Sequence, residues 1–140
     1  MQPANAVSYS ADFAWSPDGN ALAVSDGRKV MTWQWNKQGN SWTFVRSIAA
    51  GTPNRGVSAL AWSPDRKRLA TADFPSPDVV RMWSASSGEL LGPFRLPWYD
   101  PPPDSKYEAN GIVELAWSPN GQYLLSANND GQVILQVVLR

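Results

Sequence analysis

The sequence contains neither cysteine nor histidine. That double absence excludes a Cys/His zinc site, a Ser-His-Asp triad, a thiol nucleophile and an imidazole base. It also leaves no disulfide framework from which a redox compartment could be read. Net charge is missing too, with 12 Lys plus Arg against 12 Asp plus Glu. No long-range field draws such a chain to nucleic acid or to an anionic membrane, so neither is an expected partner. No apolar run approaches a membrane span, and Met1-Gln2-Pro3-Ala4-Asn5-Ala6 lacks the basic and apolar regions of an export signal. The chain therefore reads as soluble and cytoplasmic. Hydrophobic residues are not scarce: 43% of the 140 residues, beside 17% charged, suffice for a globular core.

What the chain does have is repetition. Phe13-Ala14-Trp15-Ser16-Pro17-Asp18-Gly19 returns as Leu60-Ala61-Trp62-Ser63-Pro64-Asp65-Arg66 and again as Leu115-Ala116-Trp117-Ser118-Pro119-Asn120-Gly121. Each phrase is a short apolar strand running into a turn. Ser at the first position, Pro at the second with φ already fixed, and Gly at the fourth are type I turn preferences. Arg66 stands where the other two turns have glycine, and a left-handed backbone there would cost on the order of 1 kcal/mol.

Behind each phrase the same order of strands and turns follows. In the first unit Ala21 to Ser25 and Val30 to Trp35 are strands flanking the Asp26-Gly27 hairpin signal, and Trp42 to Ile48 closes a four-stranded antiparallel meander. The second unit repeats this with Val57 to Trp62, Arg68 to Ala72, Val79 to Trp83 and Leu90 to Leu96, the loop Asp73 to Asp78 standing in for the hairpin. The third has Ile112 to Trp117, Tyr123 to Ala127, the Asn128-Asn129-Asp130-Gly131 hairpin and Gln132 to Leu139, without an outer strand. The equivalent tryptophans recur 47 and then 55 residues apart, which holds one propeller blade of about 40 to 45 residues plus insertions.

These segments resemble WD40 blades. The family's inner strand reads apolar-Ala-Phe/Trp-Ser-Pro-Asp-Gly, its second Leu-Ala-Ser/Thr and its third Val-x-apolar-Trp. Leu60 to Asp65 with Leu69-Ala70-Thr71 and Val80-Arg81-Met82-Trp83 is the best match among the three units. The TolB-like propellers share the turn but generally lack the third-strand tryptophan, so Trp33 and Trp83 favour WD40. The resemblance implies an all-β fold: a partial β-propeller over residues 1–140, with four-stranded blades at about 8–49 and 57–96 and an incomplete one at about 112–140.

Departures from the pattern are plain. The Trp-Asp dipeptide is absent, because Trp33 precedes Gln34, Trp83 precedes Ser84, and the third unit has Gln136-Val137. The family's buried network of His, Ser/Thr, Asp and Trp survives only in fragments: Thr71 with Trp83, Ser25 with Trp33, and Ser126 with Asp130. The blades are expected to be less rigidly tied than in a full WD40 set.

Sandwiching sheets between neighbours predicts inner strands that are apolar on both faces, and an alanine between two large residues predicts one close and one wide sheet contact. Three blades do not close a ring of about four to eight. Further blades in the same protein, or self-association, are expected to cover the open ends.

Function then falls to the loops, the blades being scaffold. In an up-and-down meander the first and third turns lie at one end, and they are short. The elaborated connections all lie at the other end: 50–56, 73–78 and above all the Pro-rich insertion 97–111. There Trp98, Tyr99, Asp100, Tyr107 and Glu108, with Phe74 on the neighbouring loop, form the candidate partner-binding set, since aromatics on a proline-stiffened loop lose little entropy on contact. The alternative for Trp98 is packing back over a blade edge, and for Phe74 packing under its own two prolines.

Asp100, Asp104 and Glu108 have no spacing that fixes a cation site, Asp73 and Asp78 read as turn caps, and Arg66-Lys67-Arg68 reads as a solvated turn. No cofactor and no metal is implied. Two functions follow from the resemblance: a non-catalytic scaffold binding a protein or peptide at the loop-rich end, or an accessory propeller segment of a larger enzyme or signalling protein.

Overall fold

A computed structural model describes residues 12–52, 55–74, 79–95 and 111–138, the side chains of 93–95 excepted. Eleven strands run in chain order: β1 Asp12–Trp15, β2 Ala21–Ser25, β3 Val30–Asn36, β4 Ser41–Ile48, β5 Gly56–Trp62, β6 Arg68–Phe74, β7 Val79–Ser84, β8 Leu90–Arg95, β9 Ile112–Trp117, β10 Tyr123–Asn128 and β11 Val133–Val137. They form three antiparallel meanders, β1-β2-β3-β4, β5-β6-β7-β8 and β9-β10-β11, each sheet packed against the next through its inner strand.

The repeated turn explains why the three sheets begin alike. Ser16 Oγ donates to Asp18 Oδ1 at 2.6 Å, Ser63 Oγ to Asp65 Oδ1 at 2.5 Å, and Ser118 Oγ to Asn120 Oδ1 at 2.6 Å. The same three hydroxyls accept from Ala21 N, Arg68 N and Tyr123 N, tying each turn to the start of the following strand. The backbone closes each turn with a bond to the serine carbonyl from Gly19, Arg66 or Gly121. All three of these residues are left-handed, with φ of 72°, 62° and 72°, so Arg66 holds a conformation that glycine adopts without steric cost.

Alternation along the strands gives each sheet a large face and a small face. On the central sheet, Trp62, Leu60, Leu69, Thr71 and Trp83 share the large face, while Ala59, Ala61, Ala70, Ala72, Val80 and Met82 share the small one. Two cores result. Leu60, Leu69 and Trp83 pack on the small face of the first sheet, with Ala23, Val30 and Ile48. Ile112, Leu115 and Leu124 of the third sheet pack on the four central alanines. Alanine without a longer side chain lets the sheets close to native packing density.

The expectation of doubly buried inner strands holds for β5 alone. Phe13 and Trp15 on β1 are 66% and 53% exposed, and Val113 on β9 is exposed as well. The cause is position: the large face of the first sheet and the small face of the third have no neighbour among the described residues.

Strand β6 runs on to Phe74, two residues past its expected end. Asp73 is accordingly no turn cap but a fully buried strand residue, ion-paired with Arg81 on β7. Of the three expected network fragments, Thr71 Oγ1 accepts from Trp83 Nε1 at 2.9 Å. Ser25 Oγ instead accepts from Gly27 N at 3.0 Å, because Val24 occupies the position equivalent to Thr71. Ser126 Oγ donates to Ile134 O at 3.5 Å rather than engaging Asp130.

Candidate protein-binding surface

The meander separates two kinds of connection. Turns 16–20, 37–40, 63–67, 85–89 and 118–122 lie at one end of the sheets, and the connections that begin after β2, β4, β6, β8 and β10 lie at the other. Hydrogen bonds fix the roots of the longer connections. Gly51 N donates to Arg28 O and Val57 N to Gly27 O, both at 2.8 Å. A Cβ at position 51 would fall at 2.8 Å from Arg28 O, so only glycine permits this approach. At the last root, Gly111 N donates to Asn129 Oδ1 at 3.0 Å and Asn129 N returns to Gly111 O at 3.1 Å.

Phe74 is the one member of the candidate set that the structure describes. Its ring is half-buried and lies over Gly111, where a Cβ would clash with it. The ring, on the last residue of β6, thus braces the base of the long insertion. Its own prolines, Pro75 and Pro77, lie outside the described residues, as do Trp98, Tyr99, Asp100, Tyr107 and Glu108.

Beside Phe74, the buried Asp73 carboxylate meets the Arg81 guanidinium, and its Oδ1 has no hydrogen-bond partner. Such a pair is strong only while both halves remain, because either charge left alone in the interior is expensive. It stiffens the strand that carries Phe74. On the first sheet, Asp26 serves its hairpin differently, accepting from Arg28 N and Lys29 N at 2.9 and 3.0 Å. Partial burial pushes its carboxyl up, and those two N–H groups together outweigh it and hold it below the ordinary value.

The short-turn end holds a feature that was not legible in the sequence. An open groove of about 1180 Å³ runs between the turns of the second and third sheets, bordered by Arg66, Lys67 and Arg68, with Asp65, Asn120 and Leu91. Two of the three cations are engaged. Arg66 pairs with Asp18 of the first sheet, and Arg68 lies 5.0 Å above the Trp117 ring. The Ser16 hydroxyl, then Asn20 and more weakly Arg66, hold the Asp18 carboxyl well below the usual range. Ser63 and the Lys67 N–H do the same for Asp65, in the same direction. The basic run, read as a solvated turn, thus ties neighbouring sheets together. Among the described residues no three acidic side chains gather around a cation-sized site.

Comparison with known proteins agrees with this geometry. The profile of the family described as WD domain, G-beta repeat matches residues 42–84 and 103–135, more than half of the chain. The chain belongs to the WD40 repeat family. The first WD40 match begins on β4 and ends on β7, so one sequence repeat spans two sheets and links them covalently.

Among relatives, the small ribosomal subunit protein RACK1 of Drosophila melanogaster is 29% identical over 120 residues, covering 84% of this chain and 34% of that protein. The COMPASS component SWD3 of Saccharomyces cerevisiae is 40% identical over 57 residues, 41% of this chain and 16% of that one. The crystal structure of the Cps50 (Swd1) β-propeller domain of Myceliophteria thermophila matches with a TM-score of 0.70 at 12% identity, over 91% of this chain and 39% of that chain. The fold is thus that of a β-propeller segment, and the chain spans at most about a third of the length of these curated WD40 relatives. No helix among the described residues is long and apolar enough to cross a membrane.

Proposed function

We propose that the chain is a non-catalytic WD40 scaffold that binds a protein or peptide through the loop-rich end of its sheets. One observation carries the reading: every connection at the other end is a tight turn of four or five residues, whereas the long connections share one end and are rooted there by hydrogen bonds. Phe74 over Gly111 holds the base of an insertion whose sequence sets Trp98, Tyr99 and Tyr107 among prolines, a composition that lowers the entropy lost on contact. The lack of cysteine and histidine supports a role without catalysis. Relatives named as parts of the small ribosomal subunit and of COMPASS support a place in multi-protein assemblies. The ribosomal relative also fits a cytoplasmic setting.

The test is joint replacement of Trp98, Tyr99 and Tyr107 by alanine, read by melting temperature and by capture of partners from extract. The expected result is an unchanged melting temperature with capture lost. A clear fall in melting temperature would show instead that these rings pack on the blades.

A further inference from the structure

We infer that the two open faces dock on each other between copies, the large face of the first sheet in one molecule covering the small face of the third sheet in a second. The basis is an interface that the chain already builds twice. In both, the inner-strand tryptophan of the following sheet donates its indole N–H to the carbonyl of the alanine that precedes the tryptophan of the sheet before it. Trp62 Nε1 reaches Ala14 O at 3.1 Å, and Trp117 Nε1 reaches Ala61 O at 3.3 Å. Trp15 and Ala116 are the same two positions one step outward. The Trp15 ring is half exposed beside Trp42, at 5.5 Å between centroids, and its indole N–H has no acceptor among the described residues.

A second contact of the first interface recurs as an open half. Asp12 on β1 accepts the Leu60 N–H of the next sheet through Oδ2 at 2.9 Å. Glu114, three residues before Trp117 as Asp12 is three before Trp15, stands exposed on the third sheet. Phe13 holds the place of Leu60. A second copy therefore brings the Trp15 indole to the Ala116 carbonyl and the Phe13 N–H to the Glu114 carboxylate.

The occupant is a second copy because the chain exposes one face of each kind. Phe13 and Trp15 lie on the large face, and Leu135 and Val137 on the small one, at 62% and 60% exposed. Like faces brought together would leave Trp15 without its carbonyl. The contact is head to tail, so it closes into a ring if the rotation allows.

Two variants separate the faces. Phe13→Lys blocks the large face and Leu135→Lys the small one, each at an exposed position, and a lysine buried there weakens docking by about a hundredfold or more. In light scattering after size exclusion, the 140-residue chain is expected at a multiple of 15.4 kDa. Each variant alone is expected as a monomer with the wild-type circular dichroism, and their equimolar mixture as a one-to-one pair. Trp15→Phe keeps a ring and removes only the donor, so it is expected to weaken association by about threefold to tenfold while leaving the dichroism unchanged. A wild-type chain that is monomeric or unfolded overturns the inference and leaves the faces to further repeats or to an unrelated partner. Assemblies that survive either lysine, or a mixture that stays monomeric, overturn it equally.

Discussion

Met82 on the central sheet and Leu135 on the third occupy the same place in their strands, yet Met82 is 2% exposed and Leu135 is 62% exposed. One difference is lateral, since β7 lies between β6 and β8 while β11 is the outermost described strand of its sheet. Met82 faces a following sheet, and Leu135 faces none among the described residues. The unit that buries apolar surface in this molecule is thus the pair of sheets, and stability is a sum over such pairs. The central sheet takes part in two pairs and each outer sheet in one.

The largest expected difference between the regions comes from the central ion pair. Arg81→Met would leave the Asp73 carboxylate, 1% exposed, with neither a charge partner nor a bond to Oδ1. Breaking a buried pair from one side costs about 3–5 kcal/mol, a large share of the 5–15 kcal/mol that typical domains possess. The first sheet carries Met31 in the place of Arg81 and needs no such pair, since Asp26 there is exposed. Urea unfolding of Arg81→Met is expected to show a loss of this size. A loss below about 1 kcal/mol would mean that the pair is solvated and the central sheet less tightly covered than its geometry indicates.

Next in size is the direct comparison. Met82→Ala removes a side chain buried against the third sheet and is expected to cost about 2–5 kcal/mol. Leu135→Ala, with the same chemistry at the open face, is expected to change monomer stability by no more than about 0.5 kcal/mol. Equal costs would break the distinction between covered and open sheets, unless the Leu135→Ala effect depended on protein concentration, as docking of a second copy requires.

How far the sequence carried this picture depends on the same distinction. Period-2 alternation and the Ser-Pro turn gave the strands and their order, because both are properties of a single sheet. Which face would be covered was not legible, since Phe13-Ala14-Trp15 and Leu60-Ala61-Trp62 read alike and only their neighbours differ. The misread residues have local reasons. Asp73 follows Thr71-Ala72 and precedes Phe74-Pro75, a spelling that suits a turn cap, and only the cross-strand Arg81 shows why a carboxylate stays inside. Ser25 was matched to Trp33 by type, while register gives that place to Val24. Arg66-Lys67-Arg68 is the exposed turn that its composition indicates, but the partners of Arg66 and Arg68, Asp18 and Trp117, belong to other sheets and were not legible. Of the candidate binding set, Phe74 is seen at the base of its loop, and the remaining five residues stay a proposal.

The smallest effect falls where turn chemistry and sheet contact oppose each other. Arg66 is left-handed at φ 62°, so Arg66→Gly relieves strain worth on the order of 1 kcal/mol. The same change removes the pair with Asp18, whose partners are 52% and 31% exposed, and solvent screening leaves such an exposed pair little to contribute. Strain relief therefore wins narrowly, and the melting temperature is expected to rise by no more than a few degrees. Salt separates the two terms. Raising ionic strength from about 0.1 M to 1 M shortens the screening length from about 10 Å to 3 Å, which weakens the pair in the wild type and leaves the strain alone, so the advantage of glycine should widen. Acid within the range where Asp18 stays charged should not change it. The folded carboxyl lies below its unfolded value, held first by Ser16, so its contribution is complete above the ordinary carboxylate range and fades only as pH falls beneath it. A gain that shrinks with salt would mean that Arg66 acts through something other than the pair, and a lowered melting temperature at every salt concentration would mean that the contact between the first two sheets outweighs the backbone strain.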